Sequence, residues 1–257
     1  MTGGAAPRPV ANSARLFRAE EDRRAVFFTE AVEPSAVPVY GERVTYRDRR
    51  ALRRFDPFRS KLAAALARGY EGPLPRPGEA WLYLGAASGS TASHVADLTG
   101  PTGAVYAVER SLRPFAKLVH LADRLPTLLP ILGDARAPDE YAGDLPGIAG
   151  IYADIAQPDQ PAILRENARR FLRAGGVALL ALKTASMGRA GTPRRYAESA
   201  SEELESGGLE VEESLGLEPF HKGHWFLAGR ATRDLIRAEA SERGATPRSA
   251  RPAGSRR

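Results

Sequence analysis

A glycine loop and a later acidic residue are spaced as a nucleoside site requires. The segment YLGAASGST at 83–91 places glycines at 85 and 89 between an apolar run and a helical pattern, and Glu109 ends the next apolar run. Glycines let the backbone approach a ligand closely, and an acid about 20 residues after the loop can bind both ribose hydroxyls. Because the loop is neither GxGxxG nor GK[ST], the pattern favours a nucleoside without a pyrophosphate, most commonly S-adenosylmethionine. An ordinary strand–helix turn with a surface Glu is the alternative.

Charged residues also follow three later apolar runs. Asp154 and Lys183 stand directly after such runs, and Asp134 follows one after a single glycine. In parallel sheets the ligand lies beyond the carboxyl ends of the strands, where Asp134 could accept a hydrogen bond from an adenine amino group. Lys183 is one of only four lysines among 37 basic residues, and a buried lysine, unlike arginine, can release its proton. Glu109, Asp134 and Asp154 are thus acids at the ends of three successive predicted strands behind the glycine loop. This arrangement predicts a methyltransferase site.

The elements that would position these residues alternate regularly from residue 79 onward. This succession predicts a mostly parallel, seven-stranded, Rossmann-like α/β sheet with helices on both faces, as in class I S-adenosylmethionine-dependent methyltransferases. The pair at 175–176, Gly-Gly, is expected to end the helix predicted at 159–172. The predicted strands are 81–84, 104–108, 128–132, 148–153, 177–182, 209–215 and 224–229, and the predicted helices are 90–98, 112–124, 159–172 and 192–206.

Four regions are expected along the chain. The region before the main sheet should be β-rich, with strands at 25–29, 37–40 and 42–46, a polar, basic stretch to residue 55, and a helix over 60–68 with Ser60 near its cap. The regions are a flexible N-terminus (1–13), a small β-rich region with a connecting helix (14–78), a methyltransferase domain (79–230) and a largely disordered basic C-terminal extension (231–257).

Composition narrows the class of protein further. The chain carries a formal net charge of +6 and no cysteine, which excludes disulfides and thiolate chemistry. Arginine is concentrated at 41–70 and 230–257, and two basic segments on an otherwise acidic body indicate a polyanionic partner such as RNA. No apolar run is long enough for a membrane helix, no signal peptide is visible, and the histidines lack metal-ligand spacing. We therefore expect an intracellular protein without a membrane or metal site.

Several motifs resemble the fibrillarin family, in particular the archaeal fibrillarin-like 2′-O-methyltransferases of ribosomal and transfer RNA. The resemblance covers roughly residues 14–230. It rests on FDPFRSKLAAAL, YLGAASGST, VYAVE, GDAR, YADIAQPDQ, NARRFLRAGG, LKT and LEPF.

The resemblance implies S-adenosylmethionine-dependent 2′-O-methylation of ribose in pre-rRNA and tRNA. It implies work inside a box C/D ribonucleoprotein, where a guide RNA selects the target nucleotide. The partners would be a Nop-type scaffold protein and a kink-turn-binding ribosomal-type protein, and the location would be the cytoplasm of an archaeal cell.

The resemblance also assigns site residues. The family's Lys-Asp-Lys-Glu catalytic set corresponds to Lys61, Asp154, Lys183 and Glu218. Lys183 would act as base or oxyanion stabiliser, the two acids would orient its amine, and Lys61 would hold the 2′-oxygen or a phosphate. The implied cofactor positions are Gly85, Ala87, Gly89, Ser90, Thr91, Glu109, Arg110, Asp134, Ala135, Asp154, Ile155, Ala156 and Gln157.

The chain departs from the family pattern at three places. Ser90 replaces a usual threonine, Arg110 replaces a frequent aromatic residue, and His221-Lys222-Gly223-His224 lacks the acid that usually precedes the final histidine. The third departure is expected to affect RNA contacts. Three alternatives stay open: an inert scaffold with the same fold, a methyltransferase for proteins or small molecules, and a purely structural Asp154–Lys183 ion pair.

Overall fold

A computed structural model describes residues 6–33, 37–141, 143, 145–188, 191–233 and 235. The C-terminal extension predicted to be disordered therefore lies almost wholly outside the described residues. No helix in the described part of the chain is long and apolar enough to cross a membrane.

The N-terminal region is a five-stranded antiparallel sheet with the strand order β1-β2-β3-β5-β4. Its strands are β1 (Arg8–Val10), β2 (Ser13–Glu21), β3 (Arg24–Glu30), β4 (Val44–Arg47) and β5 (Arg50–Phe55). Two of its hairpins turn at Asp-Arg pairs, 22–23 and 48–49, in which both residues have positive φ. This is the turn geometry that matches the twist of antiparallel strands.

Three expectations for this region were wrong. Arg8–Val10 pairs with β2, although a flexible terminus was predicted there. The residues at 37–40 form no strand. The stretch expected to be only polar and basic contains the core strand Arg50–Phe55, because its arginine at 53 is buried among charged partners.

The second sheet has seven strands in the order β11-β12-β10-β9-β6-β7-β8 and confirms the predicted methyltransferase architecture. β12 is antiparallel to both of its neighbours, and the other pairs are parallel. The chain order reverses between β6 and β9, which is where ligands bind in such sheets. The strands are β6 (Ala80–Leu84), β7 (Ala104–Glu109), β8 (Leu128–Leu132), β9 (Ile148–Ala153), β10 (Leu172–Lys183), β11 (Leu209–Gly216) and β12 (His224–Ala231).

Helices cover both faces of this sheet and complete two apolar layers. Trp81 and Tyr83 point into one layer, whereas Leu82 and Leu84 point into the other. Gly150 is required opposite Trp81, because a Cβ there would lie 2.4 Å from the indole ring. The helices are α1 (Lys61–Ala67), α2 (Ser90–Thr99), α3 (Leu112–Ala122), α4 (Pro138–Tyr141), α5 (Gln160–Phe171), α6 (Thr184–Met187) and α7 (Pro193–Ser206).

The glycine pair at 175–176 does not end α5 as predicted. The helix ends at Phe171, and both glycines lie inside β10. The pairing register of β10 with β9 shifts between Leu172 and Val177. The glycines therefore serve an irregular stretch of strand rather than a helix stop.

A buried polar network joins the N-terminal sheet to α2. Arg53 pairs with Glu42 at 2.7 Å and with Asp97 at 2.8 Å. Thr29 donates to Asp97 and also contacts the Nδ1 atom of His94, both at 2.7 Å. Removing one partner from a buried ion pair costs about 3–5 kcal/mol. The network therefore fixes α2, and with it the glycine loop, against the first sheet.

Candidate active site

The glycine loop packs directly against the end of β9. Gly85 has φ +79°, and a Cβ there would lie 2.4 Å from the carbonyl oxygen of Asp154. Gly89 has φ +90° and likewise leaves no room for a side chain, because an added Cβ would lie 2.5 Å from the Leu121 side chain. Only glycine satisfies both the positive φ and these close approaches. The loop thus brings the ends of β6 and β9 together.

Glu109 is held at the end of β7 with its carboxylate towards the loop. One carboxylate oxygen accepts a hydrogen bond from the Ala87 N–H at 2.9 Å, and the other accepts one from the Ser111 N–H at 2.7 Å. The residue is only 8% exposed. A carboxylate has about four acceptor positions, so the remaining lone pairs can accept bonds from ribose hydroxyls.

A cavity of about 260 Å³ lies at the switch point of the sheet. Of the predicted cofactor residues, ten line it: Gly85, Ala87, Glu109, Arg110, Asp134, Ala135, Asp154, Ile155, Ala156 and Gln157. Gly89, Ser90 and Thr91 do not line it and belong to the start of α2 instead. The cavity has the fixed acid and narrow backbone loop that an adenosine-type ligand needs, so its residues fit S-adenosylmethionine.

Sequence reasoning missed four residues that also line the cavity. They are Val108, Ser111, Gly133 and Ile163. The two aliphatic residues could not be told from ordinary core residues by their pattern. Ser111 could have been found from its position two residues after the acid.

Lys61 and Asp154 form a close ion pair beside this cavity. The Lys61 Nζ lies 2.8 Å from each Asp154 carboxylate oxygen, and both side chains are about one-fifth exposed. Ser60 caps α1, its hydroxyl accepting from the Ala63 N–H, and Thr91 donates to the Ser60 hydroxyl at 3.0 Å. This confirms the predicted cap, and it joins α1, which carries Lys61, to α2.

Lys183 ends β10 with its backbone fixed by a fully buried glutamine. Its N–H donates to the Gln160 side-chain oxygen at 2.8 Å, and its carbonyl accepts from the Gln160 amide at 3.1 Å. Its Nζ makes no hydrogen bond or ion pair with any described residue. Because Asp154 pairs with Lys61 instead, the structural Asp154–Lys183 ion pair is not formed.

Glu218 lies in the turn between β11 and β12, at the carboxyl edge of the parallel strands. It is exposed, and within the described part of the chain its carboxylate forms neither a hydrogen bond nor an ion pair. The structure thus brings Lys61 and Asp154 into contact, and Glu218 is not bonded to Lys183. His221 lies in the same turn and His224 begins β12, and burial is the chief cause of the lowered pKa of both.

Comparison with known proteins decides the family. A family model described as Fibrillarin matches residues 8–233. The chain belongs to the fibrillarin family. This membership agrees with the motif resemblance and with the two-sheet architecture.

Relatives with named functions are about 40% identical to this fibrillarin-family chain. The fibrillarin-like rRNA/tRNA 2′-O-methyltransferase of Aeropyrum pernix is 42% identical over 186 residues, which cover 72% of this chain and 80% of the relative. The protein of the same name from Pyrococcus furiosus is 41% identical over 186 residues, covering 72% and 82%.

Solved structures give the same result. Fibrillarin of Methanococcus jannaschii has a TM-score of 0.83 at 32% identity, covering 88% of this chain and 97% of that one. Aeropyrum pernix fibrillarin with natively bound S-adenosyl-L-methionine has a TM-score of 0.79 at 37% identity, covering 89% and 100%. A fibrillarin/Nop5p complex matches with a TM-score of 0.74 at 36% identity, covering 83% and 97%.

Proposed function

We propose that the chain is an S-adenosylmethionine-dependent methyltransferase of ribose 2′-hydroxyls in pre-rRNA and tRNA. The observation that carries this proposal is the pairing of Lys61 with Asp154, which lines the same cavity as Glu109, while Lys183 ends the neighbouring strand β10. A nucleoside-binding cavity near a lysine amine that has no ion-pair partner among the described residues suits the transfer of a methyl group to a hydroxyl group. Family membership adds the substrate class, ribosomal and transfer RNA, from the relatives' names.

The residues that would hold the cofactor can be assigned from the cavity. Glu109 would accept hydrogen bonds from the ribose hydroxyls, Asp134 would bind the adenine amino group, and the loop at 85–89 would lie against the sugar. Asp154 and Gln157 would line the far side. When bound, S-adenosylmethionine supplies an electrophilic methyl group on a sulfonium.

The chain's own side chains act on the ribose hydroxyl. A 2′-OH is a poor nucleophile at neutral pH and must lose its proton during attack. Lys183, whose Nζ has no protein partner among the described residues, would face the 2′-oxygen, and the Lys61 ammonium would hold that oxygen or a neighbouring phosphate. Asp154 fixes Lys61. Holding both reactants in line can supply roughly 7–11 kcal/mol.

Glu218 would be the fourth member of the catalytic set, a role that the family resemblance assigns to it. Its exposed carboxylate lies at the same edge of the sheet, where substrate RNA would enter.

The reaction would take place in a box C/D ribonucleoprotein in the cytoplasm of an archaeal cell. The fibrillarin/Nop5p complex among the similar structures supports a Nop-type scaffold partner. A kink-turn-binding protein and a guide RNA complete the proposed particle. The net charge of +6 on the chain favours an RNA partner.

Reconstitution tests this function. The full chain is assembled with a box C/D guide RNA, a Nop-type protein and a kink-turn-binding protein, and 2′-O-methyl marks are mapped on an RNA target. We expect one mark at the guided nucleotide, displaced when the guide is changed, and none with Lys183→Ala. Cofactor binding without any mark would favour the scaffold alternative, and methylation of proteins or small molecules without a guide would favour a different methyltransferase.

A further inference from the structure

Thr91 is expected among the cofactor residues, but its side chain makes a different contact. It is the second residue of α2, it is 7% exposed, and it does not line the cofactor cavity. Its hydroxyl donates to the Ser60 hydroxyl at 3.0 Å. The buried hydroxyl of Tyr83 on β6 hydrogen-bonds to Thr91 in turn. These three hydroxyl groups therefore connect the seven-stranded sheet, through α2, to the start of α1.

Ser60 is the N-cap of α1 and the residue directly before Lys61. Its hydroxyl accepts from the Ala63 N–H at 3.4 Å, and its own N–H donates to the Asp56 carbonyl at 3.0 Å. The first N–H groups of a helix have no partner within the helix, so the cap fixes the orientation of the first turn. Ser60 is only 2% exposed, so solvent has little access to these bonds.

The orientation of this first turn sets the position of the Lys61 ammonium. Lys61 is the first residue of α1, so the direction of its side chain follows the backbone that Ser60 caps. Its Nζ lies 2.8 Å from both carboxylate oxygens of Asp154, which lines the cofactor cavity. Because the lysine side chain is long, a small rotation of the first turn displaces Nζ by a larger distance.

We propose that Ser60 and Thr91 are positioning residues for Lys61, which hold its ammonium against Asp154 through the cap of α1. This inference rests on the proposed function, in which Lys61 holds the ribose 2′-oxygen or a neighbouring phosphate. Because α2 begins directly after the loop at 85–89, the two hydroxyls also tie the ammonium to the backbone that would lie against the cofactor. Both residues act through Lys61 and take no part in the chemical step themselves.

The test is the single-turnover methylation rate in the reconstituted particle, with the affinity for S-adenosylmethionine measured by calorimetry. Thr91→Val keeps the shape of the side chain without its hydroxyl, and Ser60→Ala removes the acceptor. Each should lower the rate about 10- to 100-fold, because misplacing a reacting group by about 1 Å can cost this much. In Ser60→Ala the cofactor dissociation constant should stay within twofold of wild type. Ser60→Thr keeps the hydroxyl and should react within threefold of the wild-type rate.

Thr99→Val is the matched control. Thr99 also lies on α2 and is fully buried, but its hydroxyl donates to the Ala96 carbonyl of the same helix at 3.0 Å. This control should react at the wild-type rate. The losses of Ser60→Ala and Thr91→Val should not add in the double variant, because both remove the same hydrogen bond. In a Lys61→Met background, Ser60→Ala should cause no further loss.

Three results would overturn the inference while leaving the proposed function intact. One is a folded Ser60→Ala protein that reacts within threefold of the wild-type rate. Another is an equal loss in Thr99→Val, which would indicate a general effect of loosening α2. The third is an undiminished loss from Ser60→Ala in the Lys61→Met background. A wild-type particle that leaves RNA unmethylated would instead overturn both proposals.

A second readout needs no catalysis. The chain has only four lysines, so NMR of the full chain with ¹³C-labelled lysine can assign each side chain by substitution. The ε-methylene signal of Lys61 should move towards that of the exposed Lys117 in Ser60→Ala and in Thr91→Val. It should stay in place in Thr99→Val. A Lys61 signal that is the same in wild type, Ser60→Ala and Thr91→Val would refute the positioning role.

Discussion

Glu109 offers the sharpest test of the cofactor site, because its two carboxylate oxygens each hold a backbone N–H of the surrounding loops. In Glu109→Gln, one oxygen becomes an NH₂ group that faces a donor, either at Ala87 or at Ser111. A hydrogen bond to a charged group contributes about 1.5–3 kcal/mol. At 1.4 kcal/mol per tenfold change, the dissociation constant for S-adenosylmethionine should rise roughly 10- to 150-fold.

Isothermal titration calorimetry with S-adenosylmethionine measures this effect, and circular dichroism verifies that the variant is folded. The matched control is Glu198→Gln on α7, where the exposed carboxylate only pairs with Arg194 at 2.9 Å. That control should bind the cofactor as the wild type does. A folded Glu109→Gln protein with affinity within twofold of wild type would refute the reasoning, and so would an equal loss in the control.

Four further outcomes are expected. Lys183→Arg keeps a positive charge but changes its geometry, so the single-turnover rate should fall about 10²–10³-fold; a rate within a few-fold of wild type would reject its role in the chemical step. Asp154→Asn weakens the 2.8 Å pair with Lys61 and should slow the same step roughly 10- to 100-fold, and an unchanged rate would make the pair dispensable. Burial holds the pKa of His94 well below its ordinary value, so only the unfolded chain binds a proton at this residue as pH falls. Between pH 7.5 and 5.5 the wild type should therefore lose about 1.4 kcal/mol more free energy of unfolding than His94→Gln. Urea titrations that show equal losses for the two proteins would contradict this. The isolated chain should methylate RNA only at background level at physiological salt, and efficient guide-independent methylation, detected by mapping 2′-O-methyl marks, would contradict this.

Local pattern was sufficient for the second sheet and for the glycine loop and acidic residues at its cavity, whereas the other predicted lining residues came from the family resemblance. Each of the sheet's seven strands overlaps a predicted strand. For the parallel strands the reason is that buried strands are short apolar runs separated by helical periodicity. Parallel strands also end at one edge of the sheet, so residues that follow them converge without any knowledge of packing. For this reason Glu109, Asp134 and Asp154 could be placed at one site from their positions in the sequence.

Tertiary structure alone decided which charges meet. Lys61 and Asp154 are far apart in the sequence, and only the packing of α1 against the sheet makes Asp154 pair with Lys61 rather than Lys183. Arg53 belongs to a stretch predicted only as polar and basic, but it lies in a core strand because Glu42 and Asp97 neutralise it there. Periodicity reports the burial of apolar side chains over a few residues, whereas the partner of a charge is set by contacts between distant elements.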